Sequence, residues 1–146
     1  MPDRDADPLI VAISSRTLFD MEDCHALFER EGIDAYADFQ RAHEDVPLEP
    51  GIAFPLVRKL LALNAGAPAE APRVEVILIS RNSADTGLRI FNSIAHHGLA
   101  IKRAAFSNGA APFPYIRPFG ADLFLSANPE SVRRRAGCRA WSVRRR

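Results

Sequence analysis

The chain has 146 residues, 47% of them hydrophobic and 25% charged, which suits one ordinary domain with a single core rather than two. Its 19 basic and 18 acidic side chains leave a net charge of +1. No apolar stretch approaches the roughly 20 residues of a membrane span, so the sequence reads as a soluble, cytoplasmic protein with no membrane partner.

The near-neutral total hides two regions of opposite sign. All 18 acids lie in residues 1–132 with only 12 basic residues, whereas the last 14 residues hold seven arginines and no acid. Cys24 and Cys138 are too few for a disulfide framework and too far apart for a chelating pair, so both are expected as reduced thiols. With four histidines in all, the chain has little from which to build a His/Cys zinc site.

Leu9-Ile-Val-Ala-Ile13 is a short continuous apolar run between Pro8 and Ser14-Ser15, the pattern of a strand buried on both faces of a parallel sheet. From Asp20 to about Glu44 the apolar spacing becomes helical, with Gly32 dividing two helices. Val46-Pro-Leu-Glu-Pro-Gly51 is a loop, because two prolines and a glycine sustain neither helix nor strand pairing. Residues 53–64 predict an amphipathic helix, and Ala65 to Pro72 a connector.

Val74 to Ile79 reads as the second strand. Ser83 is placed as the cap of a further helix whose Leu88, Phe91, Ile94 and Ala95 face the core before Gly98 ends it. A third strand falls within Leu99–Phe106 and a fourth within Ala121–Leu125. The alternation predicts an α/β fold, a three-layer sandwich with a mainly parallel sheet and right-handed crossovers.

In such sheets ligands bind beyond the carboxyl ends of the strands. Those ends here are Ser14-Ser15-Arg16, Ser80-Arg81-Asn82, Ser107-Asn108-Gly109 and Ser126-Ala127-Asn128. Hydroxyls and loop amides of this kind donate to a phosphate, yet Ser, Asn and Gly also punctuate strand ends with no ligand involved. Glu44-Asp45 reads either as polar groups near a ligand or as a solvated helix end. His96-His97 reads as a surface pair, since adjacent helical positions point in different directions.

Four longer segments carry a resemblance: Ile10-Val-Ala-Ile-Ser-Ser-Arg-Thr-Leu-Phe19, the stretch from His43 to Leu56, Arg89-Ile-Phe-Asn-Ser-Ile-Ala-His-His-Gly98, and Asp122-Leu-Phe-Leu-Ser-Ala-Asn128. Together, from Leu9 to about Val132, the sequence resembles the N-terminal half of the cytosolic type I 5′-nucleotidases, a branch of the haloacid dehalogenase-like superfamily. The resemblance implies a haloacid dehalogenase-like core with a small helical insertion after the first strand, over about Asp20–Glu49, that caps the site. It also implies magnesium-dependent hydrolysis of nucleoside 5′-monophosphates to nucleoside and phosphate. A carboxylate nucleophile and hard Mg²⁺ held by charged oxygens suit that chemistry.

Carried over residue by residue, the resemblance puts Ile13 or Ser14 at the nucleophile position and Ser15 at the acid/base position, with no carboxylate at either. Ser80 matches the phosphoryl-binding hydroxyl. The loop Asn108-Gly-Ala-Ala-Pro-Phe-Pro114 lacks the lysine, and Ser126 and Ala127 replace the metal-binding acids. No catalytic or metal-ligating set is therefore assigned. Ser14, Ser15, Arg16, Ser80, Arg81 and Asn82 are the candidate phosphate- or nucleotide-binding residues, and Mg²⁺ is a cofactor by resemblance alone.

The first expectation is a truncated, catalytically incomplete half that supports a separate C-terminal catalytic half and self-associates through an uncovered apolar face. The alternative is a module that binds nucleotide or phosphate, or serves as a scaffold, without catalysis. Residues 1–132 are taken as the α/β domain and 133–146 as an atypical tail in which Ser-Val-Arg-Arg-Arg occurs at 131–135 and again at 142–146. A frameshift would account for that break. Contact of these arginines and Trp141 with nucleic acid is the competing reading, opposed by the acidic body.

Overall fold

A computed structural model describes residues 7–129 together with the backbone of Arg139–Ser142. The strands are β1 (Leu9–Ile13), β2 (Val74–Ser80), β3 (Ala104–Phe106), β4 (Leu123–Ser126) and β5 (Arg139–Ser142). The helices are α1 (Ser15–Leu18), α2 (Glu22–Glu31), α3 (Ile33–Ala42), α4 (Phe54–Ala62), α5 (Leu88–His96) and α6 (Phe113–Ile116). The strands form one sheet in the order β3-β2-β1-β4-β5, parallel at every pairing. The predicted α/β class and parallel sheet are what the chain adopts.

Side-chain alternation explains why β1 reads as a continuous apolar run. Val11, Ile13, Val76, Leu78 and Leu125 face one way, into a core completed by Phe54 and Val57 of α4 and Ile90 and Ile94 of α5. Ala12, Ile77, Ile79 and Phe124 face the other way and meet Ile116 of α6, with Tyr115 and Phe119 alongside. A central strand covered on both faces has no polar side to show. Each fully buried aliphatic or aromatic side chain contributes about 1.5–3 kcal/mol relative to exposure.

The order also creates a switch point. The chain leaves β1 for β2 and β3 on one side, then returns to β4 on the other, so the crevice between β1 and β4 opens at their carboxyl ends. The segment after β1 folds back over this end as the α2–α3 pair. Gly32 joins the two helices at φ +89, a conformation that costs a residue with a Cβ.

Several expectations about α5 need correction. The helix begins at Leu88 with Gly87 at its N-cap, so Ser83 caps a turn and not the helix: its carbonyl accepts the Gly87 N–H at 3.0 Å and its hydroxyl meets Thr86 and Asp85. Leu88, Phe91 and Ala95 are exposed, and the buried face is Arg89, Ile90, Ser93 and Ile94. Polar groups displaced the expected apolar ones because each has a partner inside; Ser93, for instance, accepts the Leu48 N–H at 2.9 Å. β4 starts two residues later than predicted because Asp122 leaves the apolar run and its carboxylate accepts the Ile10 N–H at 2.9 Å.

Cys24 is a free, buried thiol. Cys138, the Trp141 side chain and the arginine runs at 133–135 and 144–146 lie outside the described residues, so the frameshift and nucleic-acid readings have no structural counterpart here. Within 133–146, the backbone of Arg139–Ser142 pairs with β4 over Leu123–Ser126.

The loop before α4 is pinned to α1: Gly51 N–H donates to the Leu18 carbonyl at 2.8 Å and Ala53 N–H to that of Thr17 at 3.0 Å. A Cβ on Gly51 would fall 2.7 Å from the backbone carbon of Phe19, where nothing can yield cheaply. Gly51→Ala should therefore lower stability by about 1–3 kcal/mol, read as a reduced urea midpoint; an unchanged midpoint would show that the loop is not held this way.

Candidate functional site

At the carboxyl ends of the strands lies a cavity of about 360 Å³. Its floor is made by the strand-end turns, through Ser14 and Ser15 after β1, Arg81 and Asn82 after β2, Asn108 and Gly109 after β3, and Ser126 to Asn128 at β4. Its roof is the α2–α3 pair, through Met21, Cys24, His25, Phe28, Ile33 and Tyr36. The insertion expected to cap the site does cover it, whereas Glu44 and Asp45 lie outside the lining.

The floor is a network of hydroxyls. Ser14 Oγ lies 2.7 Å from Thr17 Oγ1, and Ser15 Oγ lies 3.0 Å from Ser80 Oγ. Ser80 also accepts the Asn82 N–H at 3.2 Å, as Ser126 accepts that of Asn128 at 3.1 Å. Asn108, at φ 48, turns the β3 loop so that its N–H and that of Gly109 reach the Asn82 and Arg81 carbonyls at 3.2 and 2.7 Å.

Of the six candidate residues, Ser14, Ser15, Arg16, Arg81 and Asn82 share the lining. Ser80 does not reach it; at 1% exposure it stands behind Ser15. Arg16 pairs with Glu22 at 3.6 Å near the rim. No described lining residue is an aspartate or glutamate, although the described body is rich in both.

Residues that the sequence reading left out of the site complete it. Tyr36 donates to Asn82 Oδ1 at 2.8 Å and accepts from Gln40 Nε2 at 3.0 Å, and Gln40 Oε1 accepts from Arg89 Nη1 at 3.0 Å. Arg89 is 7% exposed. It also donates to the Val46 carbonyl at 2.8 Å and sits 5.8 Å from the Phe39 ring centroid, but no carboxylate among the described residues pairs with it. The chain of groups ends at Asn82 Nδ2, which is buried without a hydrogen-bond partner, a condition that costs about 1–3 kcal/mol. The sequence signal for this chain was an arginine on the apolar side of a helix and a Tyr/Gln pair four residues apart.

His97 is not a surface residue: its Nε2 lies 2.8 Å from the Leu48 carbonyl oxygen and its ring contacts Phe19 and Phe54. It is a half-buried packing group outside the cavity lining.

A 5′-nucleotidase family model matches residues 1–141. The chain belongs to the 5′-nucleotidase family. It is 33% identical over 135 residues to human Cytosolic 5′-nucleotidase 1B, an alignment that takes in 90% of this chain and 22% of that protein. The chain thus spans about a fifth of its relative's length. No solved structure matches it.

The divalent metal ion that the family implies does not fit the residues described at the cavity. Hard divalent cations take charged oxygens, whereas the lining offers hydroxyls, carboxamides and guanidinium groups. Among the described residues no group of three His, Cys, Asp or Glu side chains could hold a metal.

Burial pushes the Cys24 thiol above its ordinary 9.0, with the Arg89 charge opposing, and the Tyr36 hydroxyl above its ordinary 10.0, with hydrogen bonds to Gln40 and Asn82 opposing. Above those ordinary values the unfolded chain has lost protons that the folded chain still holds. The resulting stability is present below them and is lost as pH rises through the raised folded values. Urea denaturation should therefore show a midpoint that begins to fall near pH 9 and falls further above pH 10, with a smaller fall above pH 10 in Tyr36→Phe. Equal slopes in both proteins would contradict the placement of Tyr36.

Proposed function

We propose that this chain binds a nucleoside 5′-monophosphate in the strand-end cavity without itself hydrolysing it, as the nucleotide-holding part of a 5′-nucleotidase whose catalytic acids and divalent metal, taken as Mg²⁺, come from a separate C-terminal half. The carrying observation is the lining: hydroxyls, amides and Arg81 on the floor, Arg16 at the rim, aromatic and aliphatic groups in the roof, and no acid among the described lining residues. A phosphate needs donors and positive charge, a base needs flat apolar surface, and a phosphoryl transfer through an aspartyl adduct needs a carboxylate nucleophile.

Phosphate would lie at Ser14, Ser15, Arg16, Arg81 and Asn82, with Ser80 holding Ser15 in place. The base would lie against Phe28 and Tyr36, and the cap would choose among bases. The cytosolic setting in the human relative's name is adopted for this chain as part of the proposal; no helix among the described residues is long and apolar enough to cross a membrane. Residues 133–146 are read as an atypical tail to the domain, of which Arg139–Ser142 adds a strand beside β4.

Calorimetry with adenosine 5′-monophosphate should detect binding with and without Mg²⁺, and a phosphate-release assay should detect no turnover. Ser15→Ala should weaken binding by about 10-fold to 100-fold, the worth of one hydrogen bond to a charged group. Release that requires Mg²⁺ and disappears in Ser15→Ala would refute the non-hydrolytic reading, and absence of binding would refute the assignment of the cavity.

A further inference from the structure

The chain of hydrogen bonds from Arg89 to Asn82 has a direction, and that direction is imposed by Arg89. A guanidinium can only donate, so the Gln40 atom 3.0 Å from Arg89 Nη1 must be the carbonyl oxygen. The Gln40 amide nitrogen is then the atom that meets Tyr36, donating to its oxygen at 3.0 Å. With its oxygen so occupied, the Tyr36 hydroxyl hydrogen goes to Asn82 at 2.8 Å, which makes the Asn82 atom there the carbonyl oxygen. The Asn82 amide nitrogen is left over, buried and without an acceptor, on a residue that lines the cavity.

We propose that Arg89, Gln40 and Tyr36 are positioning residues that fix the Asn82 amide as a donor for a phosphoryl oxygen of the bound nucleotide. This inference rests on the nucleotide-binding reading of the cavity. Two observations select a phosphoryl oxygen as the acceptor. Asn82 belongs to the hydroxyl end of the cavity, since its own N–H donates to Ser80 Oγ at 3.2 Å and Ser80 meets Ser15 at 3.0 Å. At the other end of the relay stands a buried cation whose partners there are neutral: Gln40, the Val46 carbonyl and the Cys24 sulfur at 3.7 Å. A row of aligned donors with positive charge behind it favours an anion over a neutral acceptor. With Oδ1 held by Tyr36, the amide nitrogen is kept on the other branch of the carboxamide as the donor left for the ligand.

Gln40→Glu reverses the relay without emptying the site. The new carboxylate accepts from both Arg89 and Tyr36, the Tyr36 oxygen then takes a hydrogen from the Asn82 amide, and Asn82 turns its carbonyl oxygen toward the ligand. Tyr36→Phe interrupts the relay and keeps the ring, which covers the case in which the charged variant fails to fold. The experiment is calorimetry of the full chain and both variants with adenosine 5′-monophosphate and with adenosine, alongside urea denaturation to confirm folding.

The wild-type chain should bind the monophosphate at least about tenfold more tightly than adenosine, the worth of one charge-assisted hydrogen bond. In each folded variant that ratio should fall toward one, because the monophosphate loses far more affinity than adenosine does. An unchanged ratio, or an equal loss for both ligands as packing damage would produce, overturns the inference and leaves the binding reading intact. A wild-type chain that binds no monophosphate overturns the binding reading and the inference together.

Discussion

Parallel pairing of β1 with β2 on one side and β4 on the other sets Ile13 beside both Leu78 and Leu125. Continued past the strand ends, that register brings Ser15 to Ser80, whose hydroxyls lie 3.0 Å apart, and Ser14 to the β4 terminus, where its N–H meets the Leu125 carbonyl at 3.0 Å. The polar floor is therefore a consequence of strand pairing. A slip of one residue would exchange the two faces of a strand and turn Val11 and Ile13 away from α4 and α5, so the core that stabilises the sheet also fixes the hydroxyls.

The roof depends on the same arrangement through a buried cation. Arg89 enters from α5, on the α4–α5 side of the sheet, and reaches Gln40 of α3; Gln40 reaches Tyr36 and Tyr36 reaches the end of β2. Removing a cation from water costs several kcal/mol, a cost opposed here by neutral acceptors and the Phe39 face. The helical pair after β1 is thereby tied to the turn after β2 by directional bonds in addition to apolar contact. Cavity chemistry and cap position are coupled through one amide, that of Asn82.

Much of this was legible beforehand. The apolar runs of β1 and β2, Gly32 as the break between α2 and α3, and the serine-rich strand ends all follow from local pattern, because burial on both faces and a positive φ each restrict residue choice strongly. The buried face of α5 was not legible. Periodicity favoured Leu88 and Phe91, and only the tertiary partners of Arg89 and Ser93 show why polar groups occupy the interior. Ser80 was read as a ligand-facing group because it ends a strand, but it is the Ser15 hydroxyl that stands between it and the cavity. Tyr36 and Gln40 were not read as site residues, because local spacing places Tyr36 with the apolar positions of its helix and cannot show that the pair meets an arginine from another helix.

The central claim is that hydroxyls, amides and guanidinium groups at the sheet's edge receive a phosphate ester without a metal. Backbone amide NMR of the labelled chain tests it most directly, first with adenosine 5′-monophosphate in the presence of a chelator and then with Mn²⁺ alone. The expected result is that nucleotide shifts the amides of Ser14–Arg16, Arg81–Asn82 and Asn108–Gly109, while Mn²⁺ broadens none of them selectively. Selective broadening at these strand ends by Mn²⁺ alone, or nucleotide shifts that appear only once the metal is added, would contradict it.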